Sequence, residues 1–187
     1  MAIPMRDLRT TLAEADTETL ARTIVNAPFA YKADMVLLGI GIVVLLVCDT
    51  EDQQIHRIAL SSTELGDAAK RISLKKFEDI KIPVGYKTNI IAQAIVRNEP
   101  QLTSDWQYLL APALSPEQAR LNQAAGGIAC SYVYPLTFNG TKGGMLFSFY
   151  KDPEHIDAAT KDFMREYSQT VSVVLNERGT DLNMLQP

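Results

Sequence analysis

The residues that do covalent and metal chemistry are scarce in this chain, which has two cysteines and two histidines in 187 residues. Cys48 and Cys130 lie far apart, show no metal-ligand spacing and sit in apolar strand-like runs. They read as buried, reduced thiols. Nucleophilic catalysis needs a base beside the nucleophile. His56 falls in a strand-like run, facing water or a loop, and His155 sits in Asp152-Pro-Glu-His-Ile as a surface residue ahead of the last helix. No Gly-x-Ser-x-Gly, Walker loop or His-Glu-x-x-His occurs. A basic excess is missing as well: 18 Lys and Arg stand against 22 Asp and Glu, a net charge of −4, which argues against nucleic acid as a partner. The basic doublets, Lys70-Arg71 and Lys75-Lys76, read as a solvated helix face. The longest apolar run, Met35 to Cys48, is shorter than the about 20 residues a membrane span needs. No secretory signature is present. These absences predict a cytoplasmic protein with no membrane partner, no cofactor, no metal and no catalytic residue.

What is present suits one domain with terminal extensions. The chain is 47% hydrophobic and 21% charged, enough to bury a sizeable core. Leu8, Leu12, Leu20, Ile24 and Val25 recur at helical spacing over Met5 to Asn26, with a re-cap at Asp16-Thr17 and an end at Pro28. Met35 to Ile40 reads as a helical turn or loop, and Gly41 to Cys48 as a strand buried on both faces. A polar turn with three acids, Asp49-Thr-Glu-Asp52, lacks the full oxygen set of a calcium loop and leads to a strand over Gln54 to Leu60. Ser61-Ser-Thr-Glu64 is a capping-box pattern opening a helix to about Ile72. The sequence then predicts a strand over Phe77 to Val84, a helix over Asn89 to Arg97, and a strand over Gln101 to Asp105. A loop follows from Trp106 to Pro116, then a helix capped by Ser115 and running to Ala125. Strands over Cys130 to Phe138 and Met145 to Tyr150 are joined by Asn139-Gly140-Thr-Lys-Gly143, a turn rather than a phosphate cradle. Ile156 to Arg178 is the last helix, and 179–187 a flexible tail or the point where a longer protein was cut. The order predicts an α+β fold: a central six-stranded antiparallel sheet, terminal helices on one face, and middle helices with a pocket on the other.

Ile82-Pro-Val-Gly, the helix from Asn89, Asn98-Glu-Pro, Leu102-Thr-Ser-Asp-Trp106, Gly126-Gly-Ile and the closing hairpin follow an order that resembles a GAF domain, the sensor module related to PAS. The resemblance runs from about Leu20 to Leu175, giving a GAF-like domain over 20–178 behind an N-terminal helix extension over 1–19. It implies a regulatory module that binds an unidentified small molecule, pairs as a homodimer through its terminal helices, and signals to an output domain or kinase partner. It also implies a cavity lined from the fourth-strand end, the neighbouring helix and the central strands: Asp105, Trp106, Tyr108, Asn122, Ser131, Val133, Phe147 and Phe149. Bilin-binding members carry a Cys-His pair in the helix that here reads Gln118-Ala-Arg-Leu-Asn-Gln-Ala-Ala125, with neither residue. The several loop cysteines of the free methionine sulfoxide reductases and the Asn-Lys-Phe-Asp-Glu pattern of the cyclic-nucleotide binders are missing too. Two rival readings stand: a dimerisation module without a ligand, and a small redox enzyme using Cys130.

Overall fold

Near-continuous apolar runs in strands need cover on both faces of a sheet, and this chain supplies it with helices from both ends and from the middle. The computed structural model describes residues 3–185; residues 1, 2, 186 and 187 of the two terminal expectations lie outside them. The strands are β1 (Ile40–Asp49), β2 (Gln54–Leu60), β3 (Ile82–Pro83), β4 (Gln101–Thr103), β5 (Cys130–Phe138) and β6 (Thr141–Phe149). They form one antiparallel sheet in the order β3-β2-β1-β6-β5-β4. The helices are α1 (Met5–Glu14), α2 (Leu20–Asn26), α3 (Lys32–Leu38), α4 (Glu64–Ile72), α5 (Ile90–Arg97), α6 (Gln107–Leu110), α7 (Pro116–Ala125), α8 (Ala158–Glu177) and α9 (Leu182–Leu185). This is the expected α+β architecture.

β1 lies at the centre and is shared by two cores. Val43, Leu45 and Val47 pack with Leu8 and Leu12 of α1, Ile24 of α2, and Phe163, Tyr167 and Val171 of α8. Ile42, Val44 and Leu46 pack with Ile91 and Ile95 of α5, Leu109 and Leu110 of α6, and Ala119 of α7. Gly39, at φ +79°, closes α3 in the left-handed region and turns the chain into β1, a conformation glycine adopts without the strain a Cβ brings.

Several elements differ from expectation for local reasons. The first helix breaks after Glu14, where Asp16 is extended, and resumes through a 3-10 turn at Thr17–Thr19. Arg178 donates to the freed carbonyls of Leu12, Ala13 and Ala15, satisfying the end of α1 as a cation at a helix C-terminus does. Pro28 does not end the helical path but lies inside a second 3-10 turn, Ala27–Ala30. The third strand shrinks to Ile82–Pro83, a proline-bearing edge, and Phe77–Asp79 forms a 3-10 turn instead. The fourth stops at Thr103, whose Oγ1 accepts from the Asp105 N–H at 3.1 Å. The loop after it contains α6. The cap of α4 is Thr63, which accepts from the Gly66 N–H at 3.1 Å, two residues later than the capping-box reading, with Ser61 as the cap, placed it. The last hairpin is tighter than expected: Asn139 and Gly140 both have positive φ, the geometry of a two-residue type I′ turn, and Thr141 to Gly144 belong to β6. α8 begins at Ala158, capped by Asp157, whose carboxylate accepts from the Thr160 N–H at 2.8 Å. Beyond Gly179, Leu182–Leu185 is a turn of helix with Leu185 buried.

One irregularity positions the site. β1 and β2 slip register between Leu45 and Leu46, so that Leu45 faces Ala59 while Leu46 faces Arg57. Ile58 is the extra residue of a bulge. Ala59 and Ile58 both pack toward α2 and α8. Arg57 shares the face of Ile55 by strand alternation, and the bulge sends Ala59 to the other core and brings Leu60 to the side of the middle helices.

Candidate ligand-binding site

A cavity of about 270 Å³ lies on the sheet face covered by the middle helices. Its floor is Ile42 and Val44 of β1 with Leu146 and Ser148 of β6; Leu109 and Leu110 of α6 and Asn122 of α7 form one wall. Gly66, Ala69 and Lys70 of α4, and the segment from Ser73 to Ile80, form the other.

Polar side chains fix these walls. Asn89, fully buried, caps α5 by accepting from the Ile91 and Ala92 N–H groups, and its amide donates to the Leu109 and Ala111 carbonyls, both at 2.8 Å. One side chain thus starts α5 and holds α6 in place. Gln123 accepts from the Trp106 N–H at 2.9 Å and donates to the Ser104 and Ile128 carbonyls. Gln118 donates to the Ile72 carbonyl at 3.1 Å and to Asn122 Oδ1 at 2.8 Å, tying the end of α4 to α7.

The predicted site residues separate into four groups. Trp106 and Asn122 line the cavity. Ser131 stands behind it, accepting from Trp106 Nε1 at 2.9 Å and lying 2.8 Å from Ser148 Oγ; Val133 belongs to the same core. Either hydroxyl can donate in the Ser131–Ser148 bond, and in both directions Ser148 keeps hydrogen-bonding capacity toward the cavity that it lines. Asp105 and Tyr108 stand aside: Tyr108 is exposed, and Asp105 accepts from Arg120 at 2.9 and 3.1 Å and from the Gln107 N–H at 2.9 Å. Burial opposes ionisation of Asp105, but the Arg120 and Gln107 hydrogen bonds outweigh it and hold the carboxyl below its usual range. Phe147 and Phe149 do not reach the cavity. Phe147 pairs with Tyr132 and Phe149 with Cys130, so both face α8 in the opposite core.

The sequence reading missed Arg57, Ser73, Phe77 and Ser148. Arg57 lies with its guanidinium carbon 4.3 Å from the centre of the Phe77 ring. Its Nε and the Ser73 hydroxyl are buried without a hydrogen-bond partner among the described residues, and both residues line the cavity. Burial pushes the Arg57 guanidinium down to about 10, so it stays charged at neutral pH. A lone arginine in the apolar run Ile55-His-Arg-Ile-Ala-Leu60 was the available signal. Lys70, Lys75 and Lys76 are exposed, as expected of solvated residues, and stand with Glu78 at the rim of the cavity.

Two other chemistries find little support in the geometry. Burial pushes the thiols of Cys48 and Cys130 up to about 11, away from the thiolate that nucleophilic sulfur chemistry uses. His56 lies 2.8 Å from Asp52 and 3.8 Å from Asp49, and Lys81 reaches Asp52 at 3.5 Å; these groups satisfy one another at the rim of the sheet. Among the described residues no helix is long and apolar enough to cross a membrane.

No protein-family model matches the chain, and no curated protein resembles it at a significant level. Solved structures do. The GAF domain of an Acinetobacter phosphoenolpyruvate-protein phosphotransferase superposes with a TM-score of 0.62 at 9% identity, over 95% of both chains. The equivalent domain from Coxiella burnetii gives 0.59 at 15% identity, over 94% of this chain and 92% of that one. The free methionine-R-sulfoxide reductase of Neisseria meningitidis, solved with its substrate, gives 0.59 at 12% identity, over 94% and 89%. The chain has the GAF fold.

Proposed function

We propose that this chain is a regulatory sensor domain that holds a small molecule in the cavity between β1, β6 and the middle helices. The observation that carries the reading is the cavity itself. An apolar pocket with a few convergent polar groups is the form small-molecule sites take, and here Trp106 leaves space of about 270 Å³ beside it rather than filling it. In this reading the bound state has its own packing of α4, α6 and the Ser73–Ile80 segment, and the ligand acts by favouring that state. An output domain or kinase reads the change. No catalytic residue is assigned, because the two thiols are buried and protonated at neutral pH.

A second copy of the chain would meet the outer faces of α1 and α8. Their apolar stripes, Leu8 and Leu12 with Phe163, Met164, Tyr167, Val171 and Val174, are buried within the chain itself. The surface left for pairing carries Arg9, Glu166 and Gln169 beside Val173. Such pairing would be polar, weak and sensitive to salt.

The test is native mass spectrometry of gently purified protein, followed by a thermal-shift screen of metabolites. Trp106 is the one tryptophan in the chain, so its fluorescence should respond to the molecules that raise the melting temperature. Ligands that stabilise the fold without altering Trp106 emission would place binding elsewhere.

A further inference from the structure

Arg57 is the one arginine lining the cavity, and its surroundings do not neutralise it. Among the described residues no carboxylate lies within 4.0 Å of its guanidinium. Arg57 is half-buried, its Nε is enclosed without a partner, and the Phe77 ring stacks beside it; an enclosed guanidinium is normally paired. The orphaned Ser73 hydroxyl lines the same space. Lys70, Lys75 and Lys76 add positive charge against Glu78, although Lys70 is engaged by Asp67 at 3.0 Å. In a chain of net charge −4, this wall reverses the local sign.

The sheet register gives the site two ends. Arg57 faces Leu46, and Ser148 faces Ile42 on the other side of β1. Four residues along one strand and two strand spacings across separate their Cα atoms by roughly 16 Å. Between them the floor is Ile42, Val44 and Leu146. At the far end is the Ser148 hydroxyl, which shares one hydrogen bond with Ser131 and keeps capacity for another. The volume of about 270 Å³ equals about nine waters at ~30 Å³ each, so it suits a molecule of about ten non-hydrogen atoms.

Resting on the reading of this cavity as the ligand site, we infer that its ligand is a small organic carboxylate. The acid group lies on the Arg57 guanidinium and Ser73 hydroxyl, an apolar body lies over Val44 and Leu146, and an oxygen at the far end meets the Ser148 hydroxyl. Arginine supplies a fork that matches a carboxylate. Strand alternation from Ile55 puts it on this face, and the bulge at Ile58 keeps Ala59 off the same wall.

The experiment uses 3-(4-hydroxyphenyl)propionate, its neutral amide, and inorganic phosphate, titrated calorimetrically into the full chain and followed by Trp106 fluorescence. The acid should bind about tenfold or more tightly than the amide, the range a hydrogen-bonded charge supplies, and phosphate should not compete. Arg57→Met should remove the preference for acid while leaving the amide affinity within about twofold; Arg57→Lys should retain part of it. Acid and amide binding equally to the wild type would overturn the carboxylate inference and leave the cavity reading standing. Phosphate competing on equal terms would also overturn it, by showing a site for bare anions. Neither acid nor amide binding at millimolar concentration, with no adduct in native mass spectrometry, would overturn both readings together. The wild-type comparison of acid with amide stands even if Arg57→Met fails to fold.

Discussion

Arg57 sits where two effects oppose each other. Contact with Phe77 is worth about 0.5–2 kcal/mol, whereas a half-buried charge with an enclosed, unpartnered Nε and no counter-charge loses part of its hydration. The second should win in the ligand-free protein, as it does in the push of the guanidinium down to about 10. Arg57→Met, which keeps the apolar stem, should therefore raise unfolding stability by about 1 kcal/mol in urea titration. A loss of similar size would show that Phe77 stacking, not ligand binding, is why arginine stands there. The cysteines give a second test with a defined sign. Both thiols are raised to about 11 by burial, above the about 8.5 of an unfolded cysteine. They add no pH dependence at neutrality, and their contribution is lost as pH rises from about 8.5 through 11, where the unfolded chain ionises first. Ellman's reagent at pH 8 should titrate neither thiol within minutes in the native protein and both in denaturant. A fast-reacting Cys130 would revive the redox-enzyme reading. At this scale the sequence showed Trp106, Asn122 and Ser131 as a polar and aromatic cluster. Arg57 was legible only as a lone arginine sharing the face of Ile55; alternation adds Ala59 to that face, and the bulge that removes it leaves no mark in the sequence.

Asn89 carries more of the site than any single element it touches. Its carboxamide makes four hydrogen bonds from a fully buried position. Asn89→Ala should cost about 3 kcal/mol, the sum of a lost helix cap and two orphaned carbonyls. Because α6 is then unanchored, the same variant should also weaken any ligand that Trp106 fluorescence detects. Stability lost with affinity intact would mean that α6 is held by packing alone. The elements themselves were largely legible. β2 and α7 fall at the bounds that alternation and the Ser115-Pro116 cap predict, because those signals are local. The misreadings come from connections. The two-residue Asn139-Gly140 turn pairs Phe147 with Tyr132 and Phe149 with Cys130, and so puts both phenylalanines on the face of the other core, since side chains alternate with period two. The Phe77–Val84 strand failed differently. Its apolar residues, Phe77 and Ile80, cover the cavity rather than extend the sheet.

Across the whole molecule, the proposed site and the terminal helices occupy opposite faces of one sheet. β1 presents Ile42 and Val44 to the cavity and Val43 and Leu45 to the α1, α2 and α8 layer. A ligand signal that reaches α8 must cross this strand or β6, both buried on the two faces over most of their length. Tightly packed strands shift little, whereas the wall from α4 to Ile80 is held by fewer fixed contacts: the Gln118 bond to the Ile72 carbonyl, the Thr63 cap, and the Arg57–Phe77 stack. Ligand binding should therefore protect amides of α4, the Ser73–Ile80 segment and α6 in hydrogen exchange, with protection in β1 and β6 changing least. At 100 times Kd the ligand should add about 2.7 kcal/mol to global stability. Any coupling to the outer faces of α1 and α8 would then appear as a change in self-association. Light scattering at high micromolar concentration, with and without the carboxylate and at low and high salt, measures it. A ligand-dependent, salt-weakened dimer would support signalling through those helices. A monomer under all four conditions, with exchange changes confined to the α4–α6 wall, would mean that the output is read from the cavity's own rim, where Leu74 stands 83% exposed beside Ile72.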